Sequence, residues 1–363
     1  MKKATLIILL IIMLISLTAC TEALQMNQRL LVQGIGVDKV EDGFKLSIQV
    51  LNLDQSTKEN KTTPKEVQVV SAFGETIGDA FDNIKNQTGK KPLLSQSLIL
   101  IIGNEAAKDG VRSFIDFFVR HNEINPSVEI AVSEEKAEDI LRAKFDDKLI
   151  SAEEVLSILK SNHDYASKLN FNFGNFINLL DSYSEASTHY VKRQKDGEDS
   201  KIISGQIAAF KEDKFVGHLD SNESKGYLLL KGKAKSMSDI VTPEDGLKVT
   251  YVISDIYNKS DIEKNQDAYK ALIKIKAKIY IDEAEQEIAL DSNLGTISDA
   301  IKNRLKSLID KTINKAMFEY KSDILNFMKK SIDKFGEIPN SAEDFISKFA
   351  YDVDIDVDLK LTK

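Results

Sequence analysis

The sequence has few of the residue types that build chemical sites. It contains one cysteine, no tryptophan and four histidines in 363 residues. A single cysteine excludes an intrachain disulfide and a cysteine-rich zinc or iron–sulfur centre. The absence of tryptophan disfavours an aromatic cage for a sugar or a quaternary ammonium group. The formal net charge of −8 lacks the basic excess that nucleic-acid binding requires, so we expect no nucleic-acid partner.

Enough apolar residues remain to build ordinary folded cores. Hydrophobic residues make up 42% of the chain, which argues against a disordered protein. A chain of 363 residues corresponds to about two to three domains. The composition therefore predicts a folded, multi-domain protein with little metal or disulfide chemistry.

The N-terminus has the pattern of an export signal. Lys2 and Lys3 precede an uninterrupted apolar run over residues 6–15. A short cationic start followed by an apolar run of this length is typical of a secretory signal peptide. The run is too short to cross a bilayer, which takes about 20 residues. We therefore expect residues 1–19 to be removed on export.

The lone cysteine lies where a lipoprotein signal places it. Leu17, Thr18, Ala19 and Cys20 match a lipobox, with leucine three residues before the cysteine and a small residue directly before it. The first three would be recognised by the signal peptidase, and Cys20 would carry a thioether-linked diacylglycerol. The alternative is a plain secretory signal with an incidental cysteine at the cleavage site. The lipobox predicts an extracytoplasmic chain that acyl chains anchor to the membrane.

The mature chain alternates strand-like and helix-like segments, which predicts sheets packed with helices. Residues 30–37 and 44–53 form a predicted hairpin, residues 96–102 a buried strand, and residues 104–121 one helix. The predicted class is α+β with two to three domains, each a mixed or antiparallel sheet packed with helices. The predicted organisation is a signal peptide (1–19), a tether (20–29), an N-terminal α/β domain (30–190), a middle region (191–245) and a C-terminal domain (246–363).

The C-terminal third contains a long amphipathic pattern and an alternating terminal segment. A capping-box pattern at Thr296 predicts the start of a helix that runs to about residue 335, with a break near residues 319–322. A coiled coil is the alternative. A charged connector is predicted over residues 259–267, and the segment 351–361 is predicted to be an antiparallel strand.

Four aspartates alternate with apolar residues in that last strand: Asp352, Asp354, Asp356 and Asp358. A calcium loop would need glycine at its sixth position and glutamate at its twelfth, and the sequence has Val357 and Lys363 there. The pattern favours a solvated strand face. A weak cation site or an acidic docking edge is the alternative.

The sequence has few patterns typical of a catalytic or cofactor site. Gly34 and Gly36 lack the third glycine of a dinucleotide fingerprint and predict a bulge or close packing instead. The four histidines are too widely spaced for a helical metal pair, and no GxSxG or Walker motif is present. We therefore predict no enzyme, no catalytic residue, no metal and no cofactor beyond the diacylglycerol on Cys20.

A series of short motifs nevertheless follows the lipobox in a specific order. They lie at residues 33–39, 74–81, 98–110, 116–120, 136–141, 207–231, 284–285 and 320–327. In order and spacing they resemble the Ger(x)C family of spore germination lipoproteins, the C subunits of nutrient germinant receptors in endospore-forming bacteria. The sequence departs from the family at Thr21 and Glu22, where members often carry Trp-Asp.

The resemblance implies a mixed α+β architecture and a non-enzymatic subunit needed for nutrient-triggered germination. It also implies membrane-embedded partner subunits and a place at the spore inner membrane. Only Cys20 has a role that carries over residue by residue. The hairpin over residues 210–219 and the aspartate row are candidate docking surfaces. The alternative is a solute-binding lipoprotein of a membrane transporter, which predicts two similar lobes with a ligand cleft between them.

Overall fold

Two β-sheets of unlike size organise the chain. A computed structural model describes residues 29–51, 67–120, 124–145, 150–161, 168–182, 185–196, 199–243, 246, 248–284 and 290–360. Within these residues, nine strands form one sheet and four strands form another. The predicted α+β class, with helices packed on mixed sheets, is confirmed.

The first sheet has the spatial order β3-β2-β1-β5-β6-β7-β8-β9, with the short β4 beside β1. Its inner strands β1, β5, β6 and β7 run parallel, and the pairs nearer each edge are antiparallel. The strands are β1 (Arg29–Val40), β2 (Gly43–Leu51), β3 (Val67–Gly74), β4 (Lys91–Leu93), β5 (Ile99–Gly103), β6 (Glu129–Ser133), β7 (Ser187–Asp196), β8 (Asp199–Lys211) and β9 (Lys214–Leu219).

Helices cover both faces of this sheet. The bounds are α1 (Ile77–Thr88), α2 (Asn104–Asp109), α3 (Arg112–Arg120), α4 (Ala137–Leu141), α5 (Ser151–Leu159) and α6 (Phe173–Leu180). One face packs against α1, α3 and α6 around Ile35 and Phe114, and the other packs against α4 and α5 around Ile101 and Val155. Because both faces are buried, β5 reads as a continuous apolar run without alternation.

The two glycines of β1 allow α4 and α5 to lie close to the sheet. A Cβ atom at Gly34 would lie 2.7 Å from Leu141 Cδ2, and one at Gly36 would lie 3.1 Å from the Cβ of Ala137. The register with β2 also shifts beside Gly34. The expectation of a bulge and close packing is confirmed.

The predicted single helix over residues 104–121 is wrong, because the chain forms α2 and α3 with a break between them. Gly110 adopts φ 126°, outside helical space. The N–H of Val111 donates to the carbonyl of Asp213 (2.9 Å), which turns the chain away from the first helix axis.

The second sheet has the order β10-β11-β12-β13. It is accompanied by the helices α7 (Ser221–Leu230), α8 (Leu290–Ile313), α9 (Phe327–Phe335) and α10 (Ala342–Ser347), and its strands are β10 (Ser238–Val241), β11 (Val249–Asn265), β12 (Ala268–Ala284) and β13 (Phe349–Lys360).

Two expectations for this sheet are wrong. The charged segment 259–267 is not a connector, since it forms the end of β11 and the turn to β12. Its charged residues face solvent while Ile262 remains buried in the core. The last strand pairs parallel to β12, not antiparallel, because α8 to α10 carry the chain back to the starting end of β12.

The long C-terminal helix forms with the predicted break but with an earlier start. It begins at Leu290, so Thr296 lies inside the helix and does not cap it. A π-helical turn (Asn314–Glu319) follows, and the chain leaves helical structure before α9. The apolar side of α8 packs into the core of the second sheet, through residues such as Ile301 and Leu305, and does not form a coiled coil.

Strand β8 joins the two cores. Its alternation sends Ala208 and Phe210 to the core of the first sheet and Ile207 and Ala209 to the core of the second. The expected boundary at residue 190 falls inside β7, and strands on both sides of it share one sheet. As a division into domains, the expected boundaries stay a prediction.

Among the described helices, none combines the length and the apolar character that crossing a bilayer requires.

Candidate functional site

The predicted lipid-attachment residues, Leu17, Thr18, Ala19 and Cys20, lie outside the described residues. The signal peptide (1–19) and most of the tether (20–29) lie outside them too. Lipidation of Cys20 therefore stays a prediction.

The motif over residues 33–39 holds a helix against the first sheet. Buried Asp38 accepts hydrogen bonds from the N–H groups of Ala137 (2.7 Å) and Glu138 (3.0 Å), the first residues of α4. Burial raises the pKa of Asp38, although these two backbone hydrogen bonds lower it. Gly103 leaves room for this carboxylate, since a Cβ there would lie 2.1 Å from Asp38 Oδ1. This aspartate therefore fixes α4 against β1 and β5.

The motif over residues 320–327 lies at the contact between the two sheets, which we call the junction. Residues 320–326 connect the π-helical turn to α9, and Lys321 (φ 51°) and Asn326 (φ 68°) take left-handed conformations. Tyr320 donates its hydroxyl hydrogen to the carbonyl of His218 in β9 (2.9 Å). Ser322 donates to the carbonyl of Phe210 in β8 (2.5 Å). The segment thereby ties the C-terminal helices to the hairpin of the first sheet.

A glycine in β9 makes this contact possible. Gly217 has φ 150°, and a Cβ there would lie 2.4 Å from the ring and hydroxyl of Tyr320. Any larger side chain would push the tyrosine away from the hairpin. The motif glycine at 217 and the motif tyrosine at 320 therefore act as a pair.

Fully buried Asp323 caps α9. Its carboxylate accepts from the N–H groups of Phe327 (3.0 Å) and Met328 (2.6 Å). Burial raises the pKa of Asp323 to about 6, although those N–H groups and the charge of Lys231 lower it. The pKa of this carboxyl group is thus raised by burial, while its hydrogen bonds and Lys231 favour the ionised form.

Lys231, directly after α7, is the cation whose charge lowers the pKa of Asp323. Its ammonium donates to the carbonyl of Ile324 (2.9 Å). Burial lowers the pKa of Lys231 to about 8, and Asp323 opposes that shift. Beside it, the hydroxyl of Tyr227 lies 3.0 Å from Ser187 Oγ in β7. The junction therefore has a polar centre shared by both sheets.

A second buried carboxylate lies at the same contact. Glu185 precedes β7 and accepts from the N–H of Glu212 (2.5 Å) in the β8–β9 turn. Burial raises the pKa of Glu185 to about 7, and the negative charge of Asp323 adds to the rise. Two buried carboxyl groups with raised pKa values thus lie where the hairpin meets the C-terminal helices.

A cleft of about 590 Å³ lies elsewhere, between the end of β10 and α8. Its lining includes Pro243, Thr296, Asp299 and Arg304, and no junction residue lines it. Arg304 is engaged by Asp239 (2.8 Å). The cleft lies within the second sheet and its helices, and the two sheets differ in size and topology. This arrangement does not match the two similar lobes that a solute-binding protein predicts.

The outer face of the second sheet carries two matched rows of charge, which we call the charged face. Residues Lys274, Lys276 and Lys278 of β12 stand in register with Asp354, Asp356 and Asp358 of β13. All six are exposed. The expected solvated strand face is confirmed, and no group of metal-ligating side chains among the described residues is arranged to hold an ion.

The two described histidines lie among aromatic rings. His189 is buried and meets Phe171 edge-on with centroids 4.8 Å apart. His218 stacks on Tyr190 at 4.1 Å, and burial lowers its pKa. His121 and His163 lie outside the described residues.

Sequence reasoning did not identify the junction as a site. Asp323 and Lys231 stand out in the sequence only as parts of motifs, and Glu185 belongs to none of the motifs. A signal was present, since Asp323 is a lone acid directly before the apolar residues Ile324, Leu325 and Phe327. The lysine row of β12 was also missed, although its alternation mirrors that of the aspartates.

Comparisons with known proteins match both halves of the chain to domains of spore germination proteins. Residues 22–193 match the family profile of the spore germination protein N-terminal domain. Residues 205–363 match the profile described as spore germination B3/GerAC-like, C-terminal.

Two individual proteins show the same likeness. The spore germination protein YfkR of Bacillus subtilis (strain 168) is 23% identical over 339 residues, covering 90% of this chain and 87% of that protein. The crystal structure of the GerBC protein is similar with a TM-score of 0.57 and 16% identity, covering 90% of this chain and 96% of that one. At that identity the structural likeness shows the fold.

Proposed function

The chain belongs to the Ger(x)C family of spore germination proteins, and from this premise we propose that it is a non-enzymatic, lipid-anchored subunit of a nutrient germinant receptor. It acts by assembling with membrane-embedded partner subunits, or by signalling to them. The carrying observation is that both family domains match in order behind the lipobox at Cys20.

The proposed location is supported by the lipobox at the N-terminus. Diacylglycerol on Cys20 would hold the folded part at the extracytoplasmic face of the membrane, which in a spore is the outer face of the inner membrane. Two acyl chains give stable anchoring where one gives only reversible binding. The anchor and the partner subunits together account for a membrane receptor part whose described helices do not cross the bilayer.

The junction supports a role in signalling or assembly, because it fixes the C-terminal helices against the hairpin of the first sheet. Its polar groups are committed to capping α9 and to joining the hairpin, through Asp323, Ser322 and Tyr320. A non-enzymatic role is consistent with this use of its titratable groups.

The test is a germination assay in the native endospore-forming host. Spores of a strain that lacks this gene, with no paralogue expressed, should lose the response to one nutrient, and the wild-type gene should restore it. A Cys20→Ala gene should restore it poorly and should shift the protein out of the membrane fraction. Full nutrient-triggered germination in the deletion strain would contradict the proposal.

A further inference from the structure

Strand β13 leaves one edge of the second sheet open. It pairs with β12 over its full length, from the Tyr269–Phe349 pair to the Tyr280–Lys360 pair, without a bulge. No strand in the described part of the chain pairs with its other side. In an edge strand, alternate residues direct their N–H and C=O groups outward and can bind another strand. A run of 12 residues is a long edge of this kind.

The apolar side of β13 is also incompletely covered. Val353, Ile355 and Val357 are half-buried, whereas Ile275 and Ala277 in the neighbouring β12 are about 1% exposed. The difference arises because β12 has a strand on both sides and β13 has a strand on one. A further strand beside β13 would bury its apolar row as β12 is buried now.

The aspartate row determines which strand fits. On its paired side, each of Asp354, Asp356 and Asp358 stands beside a lysine of β12. A second copy of β13, paired antiparallel about a two-fold axis perpendicular to the sheet, would place aspartates beside aspartates, and like charges in that position repel. Two further devices that block an edge, proline and a bulge, are missing from β13, which leaves the charge of its aspartates as the selective feature. The edge thus rejects its own copy and stays open to a strand of opposite charge.

We propose that the open edge of β13 binds an extended segment of a partner protein in which apolar residues alternate with lysine or arginine. The segment adds a fifth strand, its backbone pairs with β13, its apolar residues extend the core, and its cations face the aspartates. This inference goes beyond the receptor role and does not rest on it, since it concerns an edge that the purified chain presents by itself.

The test uses the full chain purified in detergent and a synthetic peptide as long as β13, 12 residues, with lysine alternating with valine and threonine. A second peptide has glutamate in place of lysine. Fluorescence anisotropy measures the affinity of each labelled peptide, and hydrogen exchange reports which backbone amides become protected. We expect the lysine peptide to bind and to protect those amides of residues 349–360 that face away from β12, and the glutamate peptide not to bind.

Two matched variants remove the same charge from different places. D354N/D356N/D358N neutralises the edge, and D255N/E263Q/D267N neutralises three exposed acids on β11 and its turn. We expect the first variant to weaken lysine-peptide binding by about tenfold and the second by less than about twofold.

Several results would overturn the proposal. These are equal loss in both variants, equal binding of the glutamate peptide, or binding without protection of β13. Protection, in the peptide-free monomer, of the β13 amides that face away from β12 would show that another part of this chain covers the edge. Protection that appears only on dimerisation would show that a second copy does.

Discussion

The two sheets differ in how much of each is covered. The first has helices on both faces, with residues such as Ile35 and Ile101 fully buried on opposite sides. In the described part of the chain, the second packs its helices on one face and exposes the charged face on the other. The first sheet is therefore built as an enclosed scaffold, while the second keeps a face and an edge free for contact.

The junction connects these two sheets. Strand β8 contributes side chains to both cores, and residues 320–326 hydrogen-bond to β8 and β9. The sheet that carries the charged face and the enclosed first sheet are therefore joined by the buried charged groups of the junction and not by a linker.

The largest expected effect is on the free energy of unfolding, when an isoleucine in each of the two sheets is replaced by alanine. Ile35→Ala should lower the free energy of unfolding by about 2–5 kcal/mol, because it leaves a cavity between helices and sheet. Ile355→Ala, on the half-buried edge strand, should cost less than about 1.5 kcal/mol. Urea unfolding of both variants measures this, and equal losses would contradict the contrast between the sheets.

The next effect concerns the link between them. Asp323→Ala should destabilise the protein by about 2–4 kcal/mol, because the N–H groups of Phe327 and Met328 lose their acceptor and Lys231 loses its counter-charge. The control is Asp354→Asn on the exposed face, expected to change stability by less than about 0.5 kcal/mol. A mild effect at Asp323 would show that the junction is not a structural centre.

A pH effect of intermediate size should come from Glu185. Its pKa is about 7 in the folded protein against 4.5 as the ordinary value, so the folded state binds more protons between these limits. Stability from this group is therefore present at low pH and is lost as pH rises through about 7, by about 1–3 kcal/mol. The slope should flatten in Glu185→Gln, measured by urea unfolding at several pH values, and an unchanged slope would refute the assignment.

The smallest effect tests the charged face. Lys276→Glu places a carboxylate beside Asp356 and should cost about 0.5–1 kcal/mol. Adding Asp356→Lys to that variant should restore the loss, since the pair is then reversed but still opposite in sign. A double-mutant cycle with urea unfolding measures the interaction energy between positions 276 and 356. An interaction energy of zero would mean that the two rows of charge do not stabilise the pairing of β12 with β13.

The sequence predicted local features better than long-range pairing. The hairpin of β1 and β2, the hairpin of β8 and β9, and the break after α8 follow from alternation and from helical spacing over a few residues. Strand β10 and the outer half of β11 were missed, because short or charged strands have no strong apolar signal. The parallel pairing of β13 depends on where three helices carry the chain, which no local pattern records.

The site was less predictable for the same reason. Glu185, Lys231 and Asp323 are distant in the chain, and only the packing of β8 against the C-terminal helices brings them together. The aspartate row was visible as a periodic pattern, but its match to the lysine row required the register of β12 and β13. Cys20 remains a prediction from its motif.

The most direct test of the central claim is recovery of the tagged, full-length chain from spore membranes in mild detergent, followed by identification of what co-purifies. We expect membrane-embedded germinant-receptor subunits to co-purify in stoichiometric amounts and to be lost when Cys20→Ala removes the anchor. Recovery of an ATP-driven permease instead, or absence of the chain from spores, would contradict it.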